Sequence, residues 1–192
     1  AGFAGATADA FNNVTSAQKG PFAQSGTFTI NANTVAVGTS YETTVANINE
    51  SVNGVNATLN ADNTITLANT TGRDIVIAEV STTGAADVGF TVGTYSGMVS
   101  LENNDKSVVK IEAGSVKNGY APDSTNGSGT IADVNGIGFN ENSAGNVLES
   151  AVVSGSAIKA DELKLNDVLI GPSDNGSALS IAAAINSKTS EH

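Results

Sequence analysis

Residues Phe28–Gly38 read FTINANTVAVG, and residues Thr44–Ile77 read TVANINESVNGVNATLNADNTITLANTTGRDIVI. Phe28 and Ile30, then Val35 and Val37, alternate at period two about Asn31-Ala32-Asn33, the pattern of two short strands joined by a turn. The period then changes. Over Glu42–Val52, Val45, Ile48 and Val52 form one stripe of a short helix, with Thr39 and Glu42 spaced as a capping box. Alternation returns at Val55–Asn60 and Thr64–Ala68, about a turn at Ala61-Asp62-Asn63, and again at Ile75–Val80. A β-hairpin, a helix, a second hairpin and a strand are therefore expected, with Ile30, Val35, Val37, Val45, Ile48, Leu59, Ile65, Leu67, Ile75 and Ile77 as a small core.

The same order recurs near the far end. Leu163–Gly171 (LKLNDVLIG) matches Phe28–Gly38, with Leu165-Asn166 against Ile30-Asn31; Ile181–Asn186 (IAAAIN) matches Thr44–Asn49, with Ile185-Asn186 against Ile48-Asn49. Strand Asn and helix Asn stand eighteen residues apart in the first copy and twenty in the second. The hairpin that should follow the second helix has no counterpart after residue 186, so the second copy is expected to be truncated. Asn49 and Asn186 are expected to bond backbone near their own helix end.

Between the copies, Met98–Leu101 and Val108–Ile111 about Asn103–Lys106 read as a third hairpin, and Asp123–Gly129 as a loop. Ser143–Ser150 reads as one or two helical turns and Val152–Ile158 as extended. The expected class is α+β: mostly antiparallel β-hairpins with short helices packed on twisted sheets, in two small related modules. The expected division is a leading segment 1–24, a first ββαββ module 25–95, a hairpin-rich middle 96–160 and a truncated second module 161–192.

Composition removes most chemistry. The 192 residues contain no Cys and no Trp, and the only His is His192, so thiolate metal sites, cysteine nucleophiles and multi-histidine centres are excluded. Eight Lys+Arg against nineteen Asp+Glu give a net charge of −11, which repels nucleic acid and anionic lipid. No stretch approaches the ~20 apolar residues of a membrane span. The N-terminus, AGFAGATADAFNNVTSAQKG, shows neither the basic region nor the apolar run of a secretory signal. Only 14% of residues are charged; the polar surface must rest on Asn, Thr, Ser and Gly, a profile suited to a secreted or surface-displayed β-rich protein.

The repeated order resembles the hook-associated motif named for its Ile-Asn pair, found in the outer, variable region of bacterial flagellins and in hook-associated proteins. The resemblance covers Gly26 to about Ile77 and Leu163 to His192, and Gly97–Ile111 is similar to a strand-turn-strand stretch of flagellin outer domains. It implies a structural motif carried by Ile30, Asn31, Ile48, Asn49, Leu165, Asn166, Ile185 and Asn186. It also implies a non-enzymatic, extracellular role in the flagellar filament, without cofactor or metal. Filament contacts would run to other flagellin subunits through terminal helices not found in these residues, and O-linked sugars would be the expected modification.

Rival chemistries have their own candidate residues. Asp161-Glu162, or Asp87 with Glu79, are the carboxylates for acid/base work on a saccharide. Asn103-Asn104-Asp105, Asp123-Ser124-Thr125-Asn126 and Asp174-Asn175 offer oxygen ligands, but none has the spacing of a calcium loop. Asn13, Asn49, Asn56, Asn69, Asn126 and Asn175 begin N-x-Ser/Thr triplets. Asn135-Gly136-Ile137-Gly138 lacks the third Gly and the Lys of a phosphate loop and reads as a turn or bulge. An adhesin-like or carbohydrate-binding module, using Tyr41, Tyr95 and Tyr120, is the alternative reading.

Overall fold

The computed structural model describes residues 5–22, 26–81, 83–114, 129–140, 145–160 and 162–188. In chain order these form β1 (Ala6–Thr15), β2 (Thr27–Ile30), β3 (Asn33–Ala36), α1 (Tyr41–Ser51), β4 (Asn56–Leu59), β5 (Ile65–Asn69), β6 (Ile75–Glu79), α2 (Gly84–Asp87), β7 (Gly93–Tyr95), β8 (Met98–Asn103), β9 (Ile111–Ala113), α3 (Ile131–Gly136), β10 (Val147–Glu149), β11 (Leu163–Leu165), β12 (Val168–Ile170) and α4 (Ala178–Asn186). Every strand pairing is antiparallel, so the class is α+β with mostly β content.

The chain divides into two compact units. Unit 1 comprises residues 1–11, 71–73 and 96–192; unit 2 comprises 12–70 and 74–95. In unit 2 the strands are ordered β1-β5-β4, using Asn12–Thr15 of β1, and β3-β2-β6-β7. In unit 1 they are ordered β10-β8-β1, using Ala6–Phe11 of β1, and β12-β11-β9.

Unit 2 follows the expected order. The β2–β3 turn holds Asn31 (φ 49°) and Ala32 (φ 64°) in the left-handed region, as a two-residue turn between twisted strands requires. Helix α1 starts one residue later than its spacing suggested: Ser40, not Thr39, is the N-cap. Its Oγ accepts from Thr43 N (3.2 Å), while Ser40 N donates to Thr43 Oγ1 (2.8 Å), so Thr43 replaces Glu42 in the capping box. The buried face of α1 is Tyr41, Thr44 and Ile48, against β3 and β4. Val45 and Leu59 are only half-buried, whereas the other eight expected core residues are buried with Phe28, Val88 and Phe90.

Unit 1 departs from the sequence reading in the middle of the chain. β8 and β9 do not pair with each other as a hairpin: β8 lies between β1 and β10, and β9 pairs with β11. Residues 147–149, read as helical, are strand β10; 143 and 144 lie outside the described residues. Val152–Ile158 is irregular apart from a bridge between Gly155 and Gly176, and residues 123–128 of the expected loop lie outside the described residues. Asn135–Gly138 closes α3 rather than joining strands. The hairpin that the second copy lacks after α4 is supplied from elsewhere in the chain, by β1 and β8. The core of this unit gathers Ala6, Ala8, Ala10, Leu101, Ile111, Leu165, Ile181 and Ile185.

The two units are one arrangement used twice. Ile65, Leu67, Asn69, Ile75 and Ile77 in unit 2 correspond to Val99, Leu101, Asn103, Val109 and Ile111 in unit 1, each pair 34 positions apart and every residue buried. Gly72 and Lys106, also 34 apart, share a positive φ of 63° and 62°. In the ladders, Ala57 and Val14 flank Leu67 as Ala8 and Leu148 flank Leu101. Starting from β1, unit 2 runs β1, β2, β3, α1, β4, β5, β6, α2 and then β7, which has no counterpart among the described residues of unit 1. Unit 1 holds the matching elements in rotated order: β1, β8, β9, α3, β10, β11, β12, α4 stand for β4, β5, β6, α2, β1, β2, β3, α1.

Candidate functional site

The residues that the sequence singles out become two sets of clamps. Ile30, Ile48, Leu165 and Ile185 are fully buried, each placing the following Asn at the edge of a core. Asn49 on α1 is not spent on its own helix. Its Nδ2 donates to Ala57 O (3.0 Å) and its Oδ1 accepts from Ala57 N (2.7 Å), so one amide satisfies both outward backbone groups of a β4 residue. Asn186 on α4 treats Ala8 of β1 identically: Nδ2 donates to Ala8 O (2.7 Å) and Oδ1 accepts from Ala8 N (2.8 Å), across 178 residues of chain. Both bonds reach a strand and not, as expected, local backbone at the helix end. An amide is the shortest side chain that carries a donor and an acceptor side by side, like the backbone it replaces.

The turn asparagines form the second pair. Asn31 N donates to Val76 O (2.9 Å), and Asn31 Oδ1 accepts from Val76 N (2.8 Å), joining the β2–β3 turn to β6. Asn166 (φ 46°) repeats this on β9's approach: its N donates to Lys110 O (2.8 Å) and its Oδ1 accepts from Lys110 N (2.8 Å). A left-handed residue turns its own carbonyl out of the ladder, and the Asn side chain supplies the missing acceptor at low steric cost.

A third repeated geometry escaped the sequence reading. Ser16 N donates to Ile65 O (2.9 Å) and Ser16 Oγ accepts from Ile65 N (2.9 Å); Ser150 does the same with Val99 O (2.8 Å) and Val99 N (2.9 Å). The next residues, Ala17 and Ala151, donate to Gly89 O and Gly138 O, both at 2.8 Å. Both glycines have φ +87°, and a β-carbon there would stand 2.2 Å from Ala17 O or 2.4 Å from Ala151 O, so only Gly fits. The signal was available: Ser-Ala at 16–17 and 150–151, and Ala-Asp-Val before Gly-Phe at 86–90 and 132–139.

The rival sites resolve into local structure. Glu79 accepts from Ala85 N (3.0 Å) and Ala86 N (3.2 Å) at the start of α2, and Asp87 accepts from Thr83 Oγ1 (3.1 Å). Glu162 accepts from Lys159 N (2.8 Å); Asp161 lies outside the described residues. Asp105 accepts from Ser107 N (2.9 Å) and Asn175 from Ser177 N (2.9 Å), the bonds of ordinary Asx turns, while Asp123–Asn126 lies outside the described residues. Among the described residues no three carboxylate or imidazole side chains gather as metal ligands. Tyr41 is buried and edge-on to Phe22, and the half-buried Tyr95 donates its hydroxyl to Thr91 O (2.7 Å); Tyr120 lies outside the described residues. Of the N-x-Ser/Thr asparagines, Asn69 is buried and Asn49 is the clamp, while Asn13, Asn56 and Asn175 are exposed; Asn126 lies outside the described residues.

One depression in unit 1 is sizeable, about 690 Å³, lined by Asn103, Asn104, Asp105, Lys110, Asn166 and Asp167 among others. Its buried amide is already committed: Asn103 Nδ2 donates to Val108 O (2.7 Å) and Ser107 Oγ (3.0 Å), and its Oδ1 accepts from Asn166 Nδ2. Beside it the ammonium groups of Lys110 and Lys164 alternate with the carboxylates of Glu112 and Asp167 in a closed ring, with contacts of 3.1–3.4 Å. Hydrogen bonds from Lys164 and then Lys110 hold the Asp167 carboxyl below its ordinary range, and the Asp167 bond, with Glu112 adding to it, pushes the Lys110 ammonium up.

Compared with protein-family models, with curated proteins and with solved structures, the chain finds no match in any of the three.

Proposed function

We propose that the chain is a structural domain of a bacterial flagellin-like filament subunit, displayed on the outside of the filament and carrying out no reaction. The supporting observation is that the matching pairs of the two copies, Ile30-Asn31 with Leu165-Asn166 and Ile48-Asn49 with Ile185-Asn186, do equivalent work. Asn49 and Asn186 each clamp a strand edge, and Asn31 and Asn166 each tie a hairpin to a third strand. Residues that resemble a filament motif are thus spent on holding a repeated scaffold together.

Surface character would then be this domain's contribution: neutral amides and hydroxyls with a net charge of −11. Contacts along the filament would fall to terminal helices elsewhere in the subunit, and sugars on exposed Ser or Thr would decorate it. The carbohydrate-binding alternative draws little support from the geometry, because the depression in unit 1 is lined by amides and carboxylates with no aromatic ring among its described residues.

The test is immunogold labelling of the cells that carry the protein, with antibody raised against the 192-residue chain. Regular labelling along flagellar filaments is expected. Labelling confined to the cell body or to other appendages overturns the assignment.

A further inference from the structure

We infer that the chain opens under tension in a fixed order, unit 1 before unit 2, with the Asn186–Ala8 clamp as the first latch. The inference rests on connectivity and hydrogen bonding, and it stands whether or not the protein belongs to a filament. Residues 12–95 belong to unit 2 except Thr71–Arg73, which belong to unit 1; the chain first leaves unit 1 after Phe11 and re-enters it finally at Ser96. Phe11 and Met98 are themselves partners in the β1–β8 ladder. The equivalent strands of unit 2, β4 and β5, are joined by the short turn around Asp62, whereas β1 and β8 of unit 1 are joined in sequence by residues 12–97.

A pull on the two chain ends enters the described structure at Gly5 and at Lys188. On the first side it meets β1, paired on one edge with β8 from Ala6 to Phe11 and held on the other by the Asn186 amide at Ala8. On the second side it meets α4, seated by the buried Ile181, Ala182 and Ile185. Both load points therefore lie within three residues of the same latch. Tension reaches Asn12 only after β1 has left β8, and reaches Tyr95 only after Met98 has been released. Until then tension does not run along the chain of unit 2, and its own latch, Asn49 on Ala57, plays no part.

Two latches of identical chemistry, one on the load path and one shielded, provide an internal control. Constant-force spectroscopy of the full chain, held by handles at its two ends, should show two extension steps. The second should release up to about 300 Å, the extended length of residues 12–95 at about 3.6 Å each. Asn186→Ala should shorten the dwell before the first step about tenfold, the loss of one to two net hydrogen bonds, and leave the second dwell unchanged. Asn186→Asp, which keeps the shape and the acceptor but not the donor, should shorten the first dwell as well, and serves if the alanine variant folds poorly. Asn49→Ala should shorten only the second dwell. A ~300 Å step that comes first, a first dwell shortened by Asn49→Ala, or a first dwell unaltered by both Asn186 variants overturns the inference.

Discussion

A single amide carries an unusual share of this architecture. At positions 49 and 186 it stands in for a neighbouring strand, offering one donor and one acceptor to an alanine whose backbone would otherwise face outward unpaired. Asn49→Ala should therefore lower the unfolding free energy by about 2 kcal/mol, measured by urea titration, since it removes two bonds and leaves a buried alanine's groups unmatched. At position 31 the amide serves a backbone already in the left-handed region. Asn31→Ala loses the Val76 bond and adds left-handed strain, about 2–3 kcal/mol together; Asn31→Gly loses the bond alone and should cost about half as much. Equal losses would mean that φ plays no part. Beside it, Ala32 sits at φ 64° with an exposed side chain, so Ala32→Gly should stabilise the fold by about 0.5–1 kcal/mol. These residues were legible as an Ile-Asn pair repeated in order. Their partners were not, because an Asn spends its bonds on whichever backbone the fold brings to it, and Ala8 stands 178 residues from Asn186.

Elements were readable where their reasons are local. The β2–β3 hairpin and α1 follow from alternation, a left-handed turn and a cap, even though the cap lies one residue from where its spacing placed it. β1 is the instructive miss: Ala6, Ala8 and Ala10 form the buried face of its first half, and alanine is a poor advertisement for a strand until other elements bury it. β8 and β9 misled for the opposite reason. Two apolar runs about an Asn-Asp turn look like a hairpin, yet each finds its partner among strands from the chain's two ends. Equivalent elements also differ in surface chemistry. Where unit 1 has Lys110, Glu112, Lys164 and Asp167 on its β9–β11 face, unit 2 has Val76, Ala78, Thr29 and Ala32. The Asp167 carboxyl titrates below its ordinary 3.8 in the folded chain, so its contribution is present above that value and is lost as pH falls through the lower folded pKa. Lys110 titrates above its ordinary 10.5, so its contribution holds below that value and is lost as pH rises through the higher folded pKa. Urea midpoints followed by a probe in unit 1 should fall more on acidification below pH 4 in the parent chain than in Asp167→Asn. The difference should also shrink in high salt, because Lys110, Glu112 and Asp167 are each more than a third exposed. An acid response of unit 1 that Asp167→Asn leaves unchanged would show that the ring contributes nothing, since Asp105 and Asp133 in the same unit also titrate below their ordinary values.

At the scale of the whole molecule, rotated order is what hid the duplication. Two copies in the same order appear as a repeat of fixed period, and the α+β class with two related modules was readable from the parts that keep it: the hairpin followed by a helix in each copy. The remaining parts sit 34 positions apart in one stretch and at opposite ends of the chain in another, so no single offset aligns them. A truncated second copy was the natural reading of a chain whose missing hairpin precedes the helix it serves. The geometry makes a direct claim about closure. Eight positions separate Asn49 from Ala57 in unit 2, while Asn186 and Ala8 make the same clamp with no short connection between them. Joining Lys188 to Gly5 through a linker of about two residues would reproduce the unit 2 spacing, a short loop of low closure entropy. New ends can be opened between the exposed Lys19 and Gly20, after β1 and before β2. This permuted chain should keep the far-UV circular dichroism of the parent and unfold within about 1 kcal/mol of it, because strand pairings and clamps are untouched and only the connection is moved. Asn186→Ala in the permuted chain should then cost the same ~2 kcal/mol as Asn49→Ala. A permuted chain that fails to fold, or one in which the two substitutions differ severalfold, would mean that the units share an outline without sharing the forces that hold it.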